Sequence, residues 1–165
     1  MSGFKLIWAG AIVLAALGDG AAQARDSLGV YGGWGAFRDT QPHRCYAIAA
    51  PDKDAGGNAR WKPFASVADW PDAGIRGQVH IRLSNAVTGK GANAGGVPLV
   101  LKVDDASFPL LAGGADAWAP NAAVDAAIVA AMRSGHVLSV GRNDYTLKGA
   151  ASAIDAAALG CARGH

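Results

Sequence analysis

The cysteine content of this chain limits the folds and chemistries open to it. Among 165 residues there are two cysteines, Cys45 and Cys161, near opposite ends of the sequence that follows an apolar leader. In an exported protein, a single cysteine pair is most simply one structural disulfide. The alternative is a redox or metal site, for instance with His43 beside Cys45. Two ligands separated by a single residue, with no other Cys/His cluster, make a poor metal site.

The N-terminal segment predicts export. Lys5 precedes an uncharged apolar run, Leu6 to Leu17, which is shorter than the roughly 20 residues that a helix needs to span a bilayer. Ala22-Gln23-Ala24 has the small-x-small form of a cleavage site. We therefore expect a signal peptide over residues 1–24, a periplasmic or secreted location, and no integral membrane segment after cleavage. An uncleaved anchor is the alternative, against which Asp19 and the short apolar run argue.

Composition narrows the classes of partner and reaction. The net charge is +2, and the basic residues are scattered, whereas a nucleic-acid-binding protein usually carries a basic patch. Every acidic residue is Asp, so motifs that require Glu are excluded. The mature chain, residues 25–165, has the length of a single domain that can bury a core. We therefore expect no nucleic acid as partner.

Short apolar and alternating segments separated by Gly, Pro and Asp predict mostly strands. The predicted strands are Leu28–Phe37, Arg44–Ala50, Trp61–Trp70, Gln78–Ser84, Val97–Val103, Val137–Val140 and Tyr145–Leu147. Residues 104–107 are predicted to be a tight connection that leads into Phe108-Pro109-Leu110-Leu111. Gly113-Gly114 is expected to turn the chain toward Trp118. Helices are predicted from an Asn121 cap to Ser134 and from Ala151 to Cys161. This order favours an α+β, mainly β class: an antiparallel sheet or a β-sandwich with two helices in the C-terminal half.

The chain lacks the common catalytic and cofactor motifs, including Gly-x-Ser-x-Gly, His-Glu-x-x-His, Cys-x-x-Cys and the phosphate-binding loop. Residues 89–94 (GKGANA) weakly imitate a dinucleotide fingerprint, but no helix follows to receive a phosphate, so a loop is predicted. Asp104-Asp105 could chelate calcium, but the alternating oxygen ligands of a calcium loop are missing, which favours a hairpin turn. No catalytic residue, metal or cofactor is expected.

Two sets of side chains are candidates for a binding surface. His80 and Arg82 lie on the polar side of an alternating strand and could bind an anion or a carbohydrate, although such a face is commonly only solvated. A catalytic site assembled in space around them is the alternative. Trp61 and Trp70 lie beside predicted loops and could form a contact surface. By contrast, Trp34 and Trp118 are predicted to belong to the core.

Segments spread along the mature chain match a known family in order and spacing. They are residues 31–39, 44–49, 77–81, 108–110, 117–119, 125–135 and 145–150, followed by Cys161. In these segments the chain resembles the invasion-associated locus B family of alphaproteobacteria. The resemblance implies an exported, β-rich envelope protein of a Gram-negative bacterium, linked to host-cell invasion in some pathogens. It implies an envelope or host protein as the partner, and it does not imply an enzyme.

These observations favour an exported, non-catalytic binding or accessory protein of the envelope. One alternative is a small periplasmic enzyme with a site around His80 and Arg82. A protein-level inhibitor or chaperone is another, and it requires an exposed apolar patch near Trp61 and Trp70.

Overall fold

The computed structural model describes residues 25–53, 62–88 and 96–162, and within these ranges it has nine strands and two α-helices. The strands are β1 (Arg25–Tyr31), β2 (Trp34–Thr40), β3 (His43–Ala49), β4 (Phe64–Trp70), β5 (Ile75–Val87), β6 (Val97–Val103), β7 (Ala106–Trp118), β8 (Val137–Val140) and β9 (Asn143–Thr146). The helices are α1 (Ala122–Ser134) and α2 (Ala150–Ala162).

All nine described strands belong to one antiparallel sheet, in the order β1-β2-β3-β4-β5-β7-β6-β8-β9. The predicted class, mainly β with two helices in the C-terminal half, is confirmed, in its single-sheet form. The β6–β7 hairpin is inserted so that its second strand pairs with β5, and α1 then carries the chain across to β8. Neither of the helices in the described ranges is long and apolar enough to cross a membrane.

Two predicted elements are wrong, and glycines explain both. The predicted strand Leu28–Phe37 is instead a hairpin of β1 and β2, because Gly32 has a φ of 58° and allows the chain to reverse. The predicted turn at Gly113-Gly114 is instead part of the continuous strand β7. Gly114 has a φ of 65°, and the pairing of β5 with β7 is irregular between Arg82 and Val87. The glycines therefore accommodate an irregularity without ending the strand.

The core lies between the sheet and the two helices, on what we call the inner face. Helix α1 packs against β5, and α2 packs against β1, β2 and β3. Small buried residues on α2, including Ala150, Ala153 and Ala157, allow the helix to approach the sheet closely. Trp34 is fully buried there, as predicted. The largest fully buried side chains are Trp34, Tyr145, Ile81, Leu101, Leu110, Ile128, Met132 and Leu138.

Contacts between distant strands hold the last strand beside the first ones. The Trp34 indole Nε1 donates a hydrogen bond to the Thr146 carbonyl at 2.8 Å. The Asp52 amide donates to the Asp144 carbonyl at 2.8 Å, and the Thr146 amide donates to the Asp52 carboxylate at 3.0 Å. Because these bonds join β2 and the segment after β3 to β9, the sheet curves around its core.

Helix α1 is fixed by two side chains in its first turn. The Asn121 side chain accepts a hydrogen bond from the Val124 amide at 3.0 Å, which confirms the predicted cap. The buried Asp125 carboxylate accepts a hydrogen bond from the Val79 amide at 2.8 Å. Burial raises the pKa of Asp125, and the hydrogen bond from Val79 only partly offsets that effect. These contacts set the position of α1 against β5.

Candidate functional site

The face of the sheet opposite the helices, the outer face, carries most of the candidate binding residues. On β5, Val79 and Ile81 are buried, whereas His80 and Arg82 are half-buried and point away from the core. The strand register places Ser66 and Trp118 on either side of His80. The alternation in the sequence thus predicted correctly which β5 residues leave the core.

Five outer-face residues form what we call the aromatic–ionic cluster: Phe64, His80, Arg82, Asp116 and Trp118. One oxygen of Asp116 lies 2.8 Å from His80 Nε2 and accepts a 2.6 Å hydrogen bond from Arg82 Nε. The His80 ring stacks on Trp118 at 5.0 Å and meets Phe64 edge-on at 5.1 Å. The Arg82 guanidinium lies 6.0 Å from the Phe64 ring centre. Each side chain is therefore held by at least one other.

The prediction that Trp118 belongs to the core is wrong. Its side chain lies on the outer face and the residue is 37% exposed, whereas its neighbour Ala117 is fully buried. Successive residues of a strand point to opposite faces, so the small residue fills the inner position and the indole faces outward. The sequence Ala115-Asp116-Ala117-Trp118 already indicates the outward position of Trp118. In a strand, Asp116 and Trp118 share one face and the two alanines share the other. Because an unpaired Asp is rarely buried, the face of Asp116 and Trp118 is expected to point outward.

A second group on the outer face, the arginine cluster, consists of Arg25, Asp39, Arg44, Tyr46 and Trp70. The buried Asp39 carboxylate accepts hydrogen bonds from Arg25 Nε at 3.1 Å and from Arg44 Nε at 2.9 Å. The Arg44 guanidinium lies 4.6 Å from the Tyr46 ring centre and 5.3 Å from that of Trp70. This arrangement allows cation–π contacts with both rings.

Trp70 connects the arginine cluster to the aromatic–ionic cluster. Its indole Nε1 donates a 3.0 Å hydrogen bond to the side-chain oxygen of Gln78, which lies two residues before His80 on β5. The two clusters are therefore neighbouring parts of one surface that extends from β1 to β7. Trp61, the other tryptophan predicted to form a contact surface, lies outside the described residues.

The electrostatics of Asp39 favour its charged form. Burial alone would raise its pKa, but the hydrogen bonds and charges of Arg44 and Arg25 outweigh burial and lower the pKa of Asp39. A carboxylate whose pKa is lower in the folded than in the unfolded state stabilises the fold above its unfolded pKa. That stabilisation is lost as the pH falls through the folded pKa.

Replacing Asp39 with asparagine should therefore lower the free energy of unfolding at neutral pH. The variant should also lose less stability than the wild type when the pH is lowered. We expect a loss of about 1–2 kcal/mol at pH 7, because the carboxylate is buried but its arginine partners are partly screened by solvent. Urea unfolding at pH 7 and pH 3 measures both effects. Asp26→Asn is the comparison variant. Asp26 pairs with Arg38 at a half-buried site, but the Asp26 side chain is 47% exposed, so its replacement should cost less, about 0.5 kcal/mol at pH 7. Equal losses in the two variants would contradict the prediction.

The cysteines are brought together as predicted. Cys45 on β3 and Cys161 on α2 lie at disulfide-bonding distance, with their sulfurs 2.03 Å apart. Both are buried. His43 is also at this site: its Nε2 lies 3.9 Å from the Cys161 sulfur, and its Nδ1 lies 3.6 Å from the Asp72 carboxylate.

Asp104 occupies the hairpin turn predicted for it, between β6 and β7, with a φ of 50°. Its carboxylate accepts hydrogen bonds from the amides of His136 and Val137, at 3.1 Å and 3.0 Å for the shortest pairs. The acidic side chain thus ties the β6–β7 turn to the start of β8, which is a structural role.

The outer face presents aromatic rings and ion pairs, which suit recognition, and one histidine–carboxylate pair, which suits acid–base chemistry. Asp116 could orient His80 as the carboxylate orients the histidine of a catalytic triad. Ser66, the hydroxyl beside His80 on β4, is buried and donates to the backbone carbonyl of His80 at 3.3 Å. That bond ties β4 to β5 and does not place the hydroxyl as a nucleophile against the imidazole.

The fold and its outer face define a β-rich domain, with a cysteine pair at bonding distance and an ordered surface of rings and ion pairs. Comparison with protein-family models, curated proteins and solved structures found no match to this chain. The resemblance to the invasion-associated locus B family therefore stays a prediction from the sequence.

Proposed function

We propose that this chain is an exported, non-catalytic binding or accessory protein of the cell envelope, related to the invasion-associated locus B family. The observation that carries the proposal is the outer face. There, the aromatic–ionic cluster and the arginine cluster place rings and paired charges side by side on a surface that lies opposite the helices.

The composition and order of this face suit contact with another protein. Tryptophan, tyrosine and arginine are the residues that most often dominate binding energy at protein interfaces. Trp118 is partly exposed but already stacked on His80, and Arg82 is already bonded to Asp116. Side chains ordered before binding lose less conformational entropy when the partner arrives, which favours affinity.

Export is supported by the leader and by the cysteine pair. A disulfide persists in the periplasm or outside the cell, and in the cytosol it is usually reduced. The cysteines at bonding distance are compatible with such a compartment. We therefore place the protein in the periplasm or among secreted proteins.

A small periplasmic enzyme is the second candidate, and the His80–Asp116 pair is the observation that favours it. In that case His80 would act as a general base toward a substrate on the outer face. The inhibitor-or-chaperone hypothesis has weaker support. It needs an exposed apolar patch, but Trp70 is half-buried and hydrogen-bonded to Gln78.

Crosslinking of the mature protein in its own host, followed by mass spectrometry, tests the proposal. We expect a recurrent protein partner whose capture falls by about tenfold or more in Trp118→Ala, as for a binding hot spot. Leu159→Ala is the control, because Leu159 is exposed on α2, away from the outer face. Equal capture by the two variants would contradict the proposal. Turnover of an envelope polymer or ester, abolished by His80→Ala in a folded protein, would establish the enzyme instead.

A further inference from the structure

A second candidate site lies on the inner face, around the cysteine pair. One nitrogen of His43 and the sulfurs of Cys45 and Cys161 all lie within 4.8 Å of one another. Two sulfurs and an imidazole nitrogen form a ligand set that binds thiophilic cations. While the sulfurs are bonded to each other they are not thiolates, so this ligand set exists only in the reduced protein.

The fold supplies this geometry from three separate elements. His43 and Cys45 are two residues apart on β3, so their side chains project to the same face of the strand. Helix α2 brings Cys161 to them across 116 residues of sequence. Asp72, in the short turn after β4, lies 3.6 Å from His43 Nδ1. The other ring nitrogen, Nε2, then faces the Cys161 sulfur at 3.9 Å.

The Asp72–His43 contact is the second observation that points to a cation. Histidines that bind metals usually pair their other ring nitrogen with a carboxylate or carbonyl, which fixes the tautomer and the direction of the ligand nitrogen. Here the carboxylate lies on the Nδ1 side and the sulfurs lie on the Nε2 side. The His43 side chain is 19% exposed, so the site is reached from solvent beside this ring.

We propose that His43, Cys45 and Cys161 bind a thiophilic d¹⁰ cation, Zn²⁺ or Cu⁺, when the disulfide is reduced. The bridge and the cation are then alternative states of one site. A dithiol reductant gives two electrons and two protons to the disulfide and becomes a disulfide itself, leaving two thiols on this protein. Cation binding releases the thiol protons as two Cys–metal bonds and one His–metal bond form. A fourth position stays open for water or another ligand.

The cation would replace the crosslink between β3 and α2. Helix α2 is also held by apolar contacts of Ala153, Ile154 and Ala157, which are independent of the sulfur–sulfur bond. The reduced chain therefore keeps a docked helix in which the three ligands remain close. Binding to that folded state should raise the thermal midpoint of the reduced protein.

The test uses the mature protein, reduced with a phosphine under anaerobic conditions. Co²⁺ is the spectroscopic probe and Zn²⁺ is its competitor. We expect a single Co²⁺ per chain, with thiolate-to-cobalt absorption that Zn²⁺ abolishes, and no absorption from the oxidised protein. His43→Ala should weaken binding by at least about tenfold. Asp72→Asn should weaken it by a smaller factor, because the Asp72 side chain is 77% exposed and lies 3.6 Å from His43 Nδ1. His136→Ala is the matched control, because His136 has a similar carboxylate contact with Asp104 at 3.4 Å, away from the cysteines. It should leave Co²⁺ affinity unchanged.

Three results would overturn the proposal. One is the absence of thiolate-to-cobalt absorption in the reduced protein. Another is equal Co²⁺ affinity in His43→Ala and His136→Ala, which would assign binding to the thiols alone. The third is loss of the β-sheet circular dichroism on reduction without recovery when Zn²⁺ is added, because the ligands would then not be held together by the fold.

Discussion

Replacing Cys161 with serine is expected to lower the free energy of unfolding by about 4–5 kcal/mol. In the chain-entropy model, a bridge between Cys45 and Cys161, which are 116 residues apart, lowers the conformational entropy of the unfolded chain. The free energy of the unfolded state rises by about this amount as a result. Domains of this kind have a total stability of only about 5–15 kcal/mol. The variant should therefore lose a large share of its stability, while the apolar contacts of α2 still hold the helix against the sheet.

Urea unfolding followed by circular dichroism measures this loss, with oxidised wild-type protein as the reference. Cys161→Ser leaves an unpaired Cys45 thiol and a buried serine hydroxyl, which could themselves lower stability. The double variant Cys45→Ala with Cys161→Ala removes the crosslink without either group, and its free energy of unfolding should fall by a similar amount. Leu159→Ala, at an exposed position on the same helix, should change stability by no more than about 0.5 kcal/mol. A loss under 1 kcal/mol in both cysteine variants, or two alkylatable thiols in protein taken from the periplasm, would contradict the structural role of the bridge.

Truncating Trp34 to alanine should be the other strongly destabilising change, with an expected loss of about 3–5 kcal/mol. The indole is fully buried, so its removal leaves a cavity between the sheet and α2. It also removes the hydrogen bond from Nε1 to the Thr146 carbonyl, which holds β9 beside β2. A partly buried carbonyl left without its donor adds to the cost of the cavity.

Two further variants separate these contributions to the role of Trp34. Trp34→Phe keeps much of the apolar bulk but removes the donor, and it should lose about 1–3 kcal/mol. Trp118→Ala removes an equally large ring from the outer face and should lose less, about 1–2 kcal/mol, because Trp118 is 37% exposed and its removal leaves no enclosed cavity. Circular dichroism during urea unfolding is the measurement, since fluorescence depends on the tryptophans replaced. A loss in Trp34→Ala no larger than in Trp118→Ala would contradict the prediction.

Elements with a local signal were predictable from the sequence. Strand β6 has the predicted bounds, Val97–Val103, and α1 follows the predicted Asn121 cap to Ser134. A cap, a turn or an alternating strand depends on residues that are neighbours in sequence, so the pattern is visible without the fold. On β5 the same logic predicted that His80 and Arg82 leave the core.

The sequence by itself determined the mainly β class, the two C-terminal helices, and the pairing of its two cysteines. Only the tertiary structure decided the strand order, the outward position of Trp118, the contact between His80 and Asp116, and the position of His43 beside Cys161. His80 and Asp116 are 36 residues apart, and His43 and Cys161 are 118 apart. Contacts at such separations form because the whole sheet and its helices bury a shared core, and the balance of burial against chain entropy is a property of the complete fold.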